Sequence, residues 1–523
     1  MSKKLLRLMT AVCLIAMACF VFTGCGSDNK SAGSGDAKGK VLTYASPDYT
    51  TINSILNTHD ELPDIIFSGL MKYDGKGNPV PDLATSYDFD QASNTYTFHL
   101  REGVKWHDGQ AFTSKDVKFT LDTLTQNKDL EASIRDNYKE ISSVETPDDK
   151  TVVIHLSQPN AAMLNYLTIG ILPEHLLAGK DIMTDSFNQN PVGTGRYKFV
   201  SWDKGQSITV EKNTDYYDKV PNIDKIVFKV IQDENAKAAQ VKSGGVDLAW
   251  LNAENAKSFR DNKDFMVYDF KTADYRAIAP NFNAPFWQKH PELVPVIGYA
   301  IDKQAIVNSV LTGQGEVAYS PLQMNKEYNN PNIEKRDFNK DVFKQKVEAL
   351  GWKLGSDGIY EKDGEKLAFS VDTREYETER VDIAKVVSSQ LKEVGVDMKV
   401  NIVPKLNWKS LECFLIGNAA PFDPDNGTYD LFYTNASGNY THYSRPEVDA
   451  ALAKARATYN KDERKADYNE FQKLWAEHPA YIMIAYLDGN YVANKKVTGL
   501  DTQRILGHHA VGVMWNIEDW DIK

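Results

Sequence analysis

The residues of this chain that could do chemistry are few and scattered. There are four cysteines, Cys13, Cys19, Cys25 and Cys413, and one adjacent histidine pair, His508-His509. Four thiols allow two disulfides or one four-thiolate metal site. Neighbouring side chains on a strand point to opposite faces, so the two histidine rings are expected to diverge and no metal site is expected there. The tract Asp423-Pro424-Asp425-Asn426-Gly427 has the flavour of a calcium loop. Its glycine stands at the fifth place, however, and no Glu follows at the twelfth. The chain has no His-Glu-x-x-His metal motif, no Gly-x-Ser-x-Gly nucleophile turn and no Walker loop. Acidic residues abound, but no spacing pairs two of them across a cleft. These absences are weak evidence against an enzyme; no catalytic residue, resident metal or cofactor is expected.

The cysteines are better explained by export. Lys3, Lys4 and Arg7 precede an apolar run from Leu8 to Phe22, which is shorter than the ~20 residues of a spanning helix and fits a signal h-region. The run ends Phe22-Thr23-Gly24-Cys25, which resembles a bacterial lipobox with Phe22 where Leu is usual. Residues 1–24 are therefore expected to be a lipoprotein signal peptide and Cys25 the lipidated N-terminus. Residues 25–40 hold no large apolar side chain before the end and read as a flexible tether. Cleavage leaves 499 residues and shifts the formal charge from −12 to −15. Only Cys413 then remains as a thiol, and its apolar neighbours predict a buried core residue. So acidic a chain is a poor match for nucleic acid.

The elements that must position any site are those of a large mixed α/β protein. At roughly 150 residues per domain, 523 residues suggest about three domains. Strands are predicted at Val41–Ala45, Asn94–Leu100, Thr151–Leu156, Ser207–Val210 and Ile226–Val230, with turn chemistry over Asp88–Ser93. Thr113-Ser114-Lys115-Asp116 reads as a capping box that opens a helix through Leu124. Helices are predicted over Asn339–Leu350, ended by Gly351, and over Val381–Val394, ended by Gly395. Ser444-Arg445-Pro446-Glu447 reads as a second capping box. A further helix carries Tyr468, Phe471, Leu474 and Trp475.

Several segments together resemble the family 5 extracytoplasmic solute-binding proteins of peptide, dipeptide and nickel ABC importers. The first runs Asp82–Tyr87, then Thr95–Gly109, then Phe112–Val117, close to the family's "TYTF-x-LR-x-GVKFHDG" and its flanks. The second is Pro191–Phe199, matching "PVGTGPY", with Glu211-Lys212-Asn213 beyond it. Tyr299–Lys303, Ala349–Trp352 and Tyr443–Asp449 complete the set, which spans about residue 40 to residue 500. Gly109, Gly193 and Gly195 read as turn residues, and Trp106 and His107 as packing residues.

The resemblance implies an α/β, two-lobed, periplasmic-binding-protein-like fold (type II, cluster C) with an extra domain inserted in the first lobe. Lobe I is expected from 41–62, 189–278 and 488–523, the inserted domain from 63–188, and lobe II from 279–487. Ligand would bind between lobes that close on it. By the same resemblance the cleft is lined by Trp250 and Asn252, by Tyr275, Asn281 and Asn283, and by the loop from Gly417 to Tyr429. That loop gives Asn418, Asp423 and Asp425, with Tyr433 and Tyr440 nearby. Peptide receptors of the dipeptide type place an Asp three residues before an Asp-Pro-Asp-Asn run to pair with the ligand's amine. Here that place holds Ala420, so Asp423 or Asp425 is expected to substitute. The expected function is capture of di- or oligopeptides by a monomeric, lipid-anchored receptor on the outer face of the cytoplasmic membrane. The receptor would deliver them to ABC permease subunits with cytoplasmic ATPases. The alternative ligand is a nickel–chelator complex, and a more distant alternative is an exported hydrolase or peptide-holding chaperone.

Overall fold

The structure, a computed structural model, describes residues 39–57 and 60–523. The leader, Cys25 and the tether through residue 38 lie outside the described residues. No helix among the described residues is long and apolar enough to cross a membrane.

Two long strands, Phe265–Pro280 and Ile482–Asn494, pair antiparallel at the centre of an 11-stranded sheet. They are buried over most of their length, which suits their unbroken apolar and aromatic stretches. At one end Leu248–Leu251, Val41–Ser46, Lys225–Val230, Ser207–Lys212 and Tyr197–Asp203 extend the sheet into lobe I. At the other end Cys413–Ala419, Ala368–Arg374 and Asp397–Val403 extend it into lobe II. The pairing of the two long strands slips between Lys271 and Tyr275.

Each lobe has its own core. Leu42, Ile226 and Phe228 of the lobe I sheet share one core with Leu121, Val152, Ile154 and the C-terminal Trp520. Lobe II packs around Trp287, Trp352 and Phe369 on one face and around Tyr468, Phe471 and Trp475 on the other. Cys413 is buried in that first cluster.

A separate four-stranded sheet, in the order Ala84–Asp90, Thr95–Leu100, Thr151–Leu156, Ile141–Asp148, stands beside lobe I. The helix Ser114–Gln126 covers it and starts with the expected capping box: Asp116 accepts from the Thr113 amide at 2.9 Å. Asn339 caps Lys340–Ala349 through two backbone amides, and Gly351 and Gly395 are both left-handed just past their helices. The second capping box does not form. Arg445 is the cap residue of Pro446–Ala457, and the Ser444 hydroxyl instead meets that of Thr434 at 3.0 Å.

The two most distinctive sequence motifs pack on each other. The Gly193 amide donates to His107 Nδ1 (3.1 Å), the His107 amide donates to the Gly193 carbonyl (2.9 Å), and His107 Nε2 lies 3.0 Å from the Gly195 carbonyl. Burial pushes the His107 ring down to about 4, so it is a neutral packing residue. The reason for Gly193 and Gly195 is not turn geometry. A Cβ on either would meet the backbone of Ile65 and Ile66 at 2.5 Å or less, so the motif permits one chain segment to lie against another.

Candidate ligand site between the lobes

The site is built where the long strands cross. Asp274 and Arg276 alternate on Phe265–Pro280 and so share a face. Arg276 Nη1 donates to Asp274 Oδ1 at 2.6 Å, and its Nε donates to Glu379 Oε1 at 2.8 Å. Arg380, from the helix Thr378–Glu393 of lobe II, contacts Glu377 at 2.8 Å through Nη1. From the other side comes the turn Gly507–Val511 of the C-terminal segment. There His508 Nδ1 lies 2.8 Å from Asp274 Oδ1, and the His509 amide donates to Asp274 Oδ2 at 3.1 Å.

Gly417, on the strand next to Asp274 and Arg276, is the floor of this cluster. A Cβ there would stand 2.5 Å from Arg276 Nη1, 2.6 Å from Arg380 Nη2 and 2.9 Å from His508 Cε1. Two guanidinium groups and an imidazole edge therefore converge on one point, with lobe I and lobe II both contributing.

The expected divergence of His508 and His509 is corrected. The segment is a tight turn, not a strand, with left-handed φ of 53° at His509 and 56° at Ala510. That fold brings the rings to a centroid distance of 3.9 Å. Asp274, His508 and His509 each offer one ligand atom, and these atoms lie within 4.8 Å of one another, in an arrangement able to hold a metal.

Electrostatics favour the same chemistry. Burial raises the Asp274 carboxyl, but Arg276 and His508 outweigh it and hold the group well below the usual carboxylate range. It is a fixed acceptor. With Nδ1 turned to that carboxylate, His508 presents Nε2 as its free nitrogen. The His509 side chain is exposed to solvent beside His508. Its crowded surroundings, then the neighbouring His508, push its ring below the ordinary imidazole range, which leaves it neutral with a lone pair to donate. Arg380 is lowered to about 10 by burial and by Arg276. Among the described residues its ion-pair partner is Glu377, which leaves guanidinium nitrogens for an incoming anion.

The residues expected from sequence fall in different places. Tyr275 and Asn418 lie opposite each other on adjacent strands, alternating with Arg276 and Gly417 and so on the other face of the sheet; both carry a buried oxygen without a hydrogen-bond partner, and the Tyr275 ring is packed in the core against Tyr481 and Tyr486. Trp250 is half-buried under Lys237. Asn252 spends its side chain capping Ala253–Lys257, and Asn281 bonds the Leu411 carbonyl and the Asn283 amide, while Asn283 itself is exposed. Tyr433 stacks on Tyr429 and Tyr440 stacks on Trp408. Asp423 is gripped by Arg464 through two bonds of 2.7 and 2.9 Å, and also accepts from Asn165. Asp425 is gripped by Arg456, with a shortest bond of 2.6 Å. Both carboxylates are thus already paired. Burial raises the Asp425 carboxyl, but Arg456 outweighs it and holds the group down.

Sequence reasoning did not find Asp274, Arg276 or Arg380, and it named Gly417 only as the start of a cleft-lining loop. The available signal was Asp274-x-Arg276, two opposite charges on one face of the buried half of a strand. A charge pair in a buried strand needs partners, but nothing in the sequence says which.

Two lobes sharing crossing strands, with polar groups of both gathered at the crossing, define a solute-binding protein. The family model described as bacterial extracellular solute-binding proteins, family 5 Middle, matches residues 78–444, and the chain belongs to that family. Its members are substrate-binding transport proteins. The chain is similar to the oligopeptide-binding protein AppA of Bacillus subtilis, with 29% identity over 555 aligned positions and 99% of each chain covered. Among solved structures it is similar to NikZ from Campylobacter jejuni in complex with Ni(L-His), with TM-score 0.85, 35% identity and coverage of 92% of this chain and 99% of that one. Similarity to B. subtilis AppA in complex with a nonapeptide gives TM-score 0.81 and 28% identity, over 93% of this chain and 99% of that one.

Proposed function

We propose that this chain is the receptor of an ABC importer and that its cargo is a divalent metal of the nickel kind, carried in a small carboxylate-bearing chelator. The observation that carries this is the convergence of Arg276, Arg380 and His508 at Gly417, with the His509 ring against that of His508. An imidazole nitrogen suits a borderline divalent metal, and a guanidinium suits the chelator's carboxylate. Because the histidines come from lobe I and Arg380 from lobe II, a chelate touching both favours the closed state. The similarity to C. jejuni NikZ in complex with Ni(L-His) supports the same reading. Calorimetry with nickel plus two equivalents of L-histidine tests it. Wild type is expected to bind, and His509→Ala to bind roughly a hundredfold more weakly. Absence of binding heat in wild type overturns it.

Peptide capture is the second reading, supported by the similarity to AppA. Under it the half-buried Asn418, with its unpartnered side-chain oxygen, is a residue available to a peptide backbone. Native mass spectrometry of protein from a peptide-rich medium, with thermal shift against di- to hexapeptides, decides it. No co-purified peptide and no shift removes it.

The proposal includes a lipid anchor at Cys25, a monomer acting beside permease subunits with cytoplasmic ATPases, and no catalytic activity. It also takes lobe I as 41–62, 189–278 and 488–523, with 63–188 inserted and 279–487 as lobe II. Mass analysis of the mature N-terminus tests the anchor: a diacylglyceryl-cysteine is expected, and an unmodified Cys25 overturns it.

A further inference from the structure

The His508-His509 turn is strained and needs support from outside itself. Two consecutive non-glycine residues, His509 and Ala510, hold left-handed backbone, which L residues adopt only at an energetic cost. Within the turn, the Gly507 amide donates to the Val511 carbonyl at 2.9 Å, and the Val511 amide donates to the His508 carbonyl at 3.1 Å. At its crest, the Tyr491 hydroxyl donates to the Ala510 carbonyl at 3.0 Å. At its entry, Asp274 holds both histidines, as described above. What holds its exit comes from the opposite end of the sequence.

Glu61, buried at the start of the helix Glu61–Ile66, turns its carboxylate toward the residues just after the turn. Oε1 accepts from the Gly512 amide at 2.6 Å and the Val513 amide at 3.0 Å, and Oε2 accepts from the Met514 amide at 3.2 Å. Three consecutive amides around one carboxylate form an anion-binding nest. Burial and the neighbouring Asp64 push the Glu61 carboxyl up to about 7, while the three amides draw it down. A buried carboxylate held in this way fixes the three backbone positions that follow the turn.

We propose that Glu61 is a positioning residue for the ligand site: by clamping residues 512–514 it keeps the strained turn closed and the rings of His508 and His509 together. This rests on the metal–chelate reading of the site. Glu61 touches no ligand. It acts through the backbone, and a residue some 450 positions away in sequence thereby sets the spacing of the two rings.

The test compares wild type with Glu61→Gln, which keeps one acceptor oxygen but puts an N–H donor against the amides, and with Glu61→Asp, which keeps the charge. Two measurements are made: calorimetric titration with nickel plus two equivalents of L-histidine, and amide hydrogen exchange. Glu61→Gln is expected to weaken binding about tenfold or more, with Glu61→Asp recovering part of the loss. Exchange is expected to quicken at residues 508–514 while the remainder of lobe I keeps its protection. Binding within about twofold of wild type in Glu61→Gln overturns the proposal. So does faster exchange throughout lobe I, since that marks Glu61 as a general stability residue. If wild type itself gives no heat, the ligand reading fails. The clamp is then judged by exchange alone: quickening confined to residues 508–514 upholds it, and unchanged exchange there overturns it.

Discussion

Tyr166 donates a 2.6 Å hydrogen bond to Asp425, and with it the inserted domain is tied to lobe II. The bond is part of a buried cluster. Arg456 pairs with Asp425, reaches Glu140 at 3.4 Å, and lies 3.4 Å from the centre of the Tyr429 ring. The Ala161 amide donates to the Arg456 carbonyl at 2.8 Å, and the Tyr459 hydroxyl accepts from the Asn160 amide at 3.1 Å. None of these residues touches the His508-His509 cluster. Because they join the two sides away from the site, they are expected to weight the equilibrium between open and closed lobes, to which ligand binding is coupled.

Tyr166→Phe removes only the hydroxyl and leaves Asp425 with Arg456. A hydrogen bond to a charged group contributes about 1.5–3 kcal/mol, part of which is recovered by water when the lobes part. Ligand affinity is expected to fall about five- to tenfold. Small-angle scattering should show that more ligand is needed to compact the protein. Affinity and compaction equal to wild type would show that this contact does not influence closure.

The fold was largely legible in the sequence because it rests on local rules. The capping box at Thr113, the left-handed Gly351 and Gly395, and the alternation of Thr95–Leu100 each depend on neighbours within a few residues. The site was much less legible because its parts are set by distant pairing. Asp423 and Asp425 look like free ligand groups until Arg464 and Arg456 are seen beside them. His508 and His509 look divergent until the backbone turns left-handed at His509. Ser444 has the right type and spacing for a helix cap, but its hydroxyl finds Thr434 instead.

Arg464→Met is expected to destabilise the protein by about 3–5 kcal/mol, because it leaves Asp423 in a largely buried place without its cation. Asn165 alone cannot balance a carboxylate. Pairing the change with Asp423→Asn should recover most of the loss, since a neutral amide needs no counter-charge. Urea unfolding of the two variants checks this. A double variant no more stable than the single one would mean that Arg464 matters through packing on Tyr328 and Tyr468.

Gly417→Ala tests the cluster without removing any of its charges. The added methyl occupies the point where Arg276, Arg380 and His508 converge, at distances a real Cβ does not tolerate. Those side chains must give way, so nickel–histidine affinity is expected to fall about a hundredfold. The melting temperature should shift by a few degrees at most, because the neighbours are side-chain ends at a partly open cleft. Unchanged affinity would place the ligand away from Gly417.

Lys303 gives a pH dependence whose sign can be worked out. Its ammonium is buried in lobe II, 3.3 Å from the Ala318 carbonyl and above the Tyr319 ring. Desolvation, then repulsion from Arg336, outweigh the attraction of Asp337 and bring it from 10.5 to about 7. Between those two pH values the unfolded chain holds a proton that the folded chain has shed, so this residue's contribution to stability rises with pH across that window. Below about 7 both states hold the proton and the full cost of burying the charge applies. Lys303→Met removes that cost while keeping most of the side-chain volume. It is expected to be more stable than wild type at pH 6, by an amount on the order of a few kcal/mol, and to lose that advantage as the pH approaches 10. Chemical unfolding of both proteins at pH 6, 8 and 10 measures the difference directly. A difference independent of pH would mean that Lys303 keeps an ordinary titration in the folded protein.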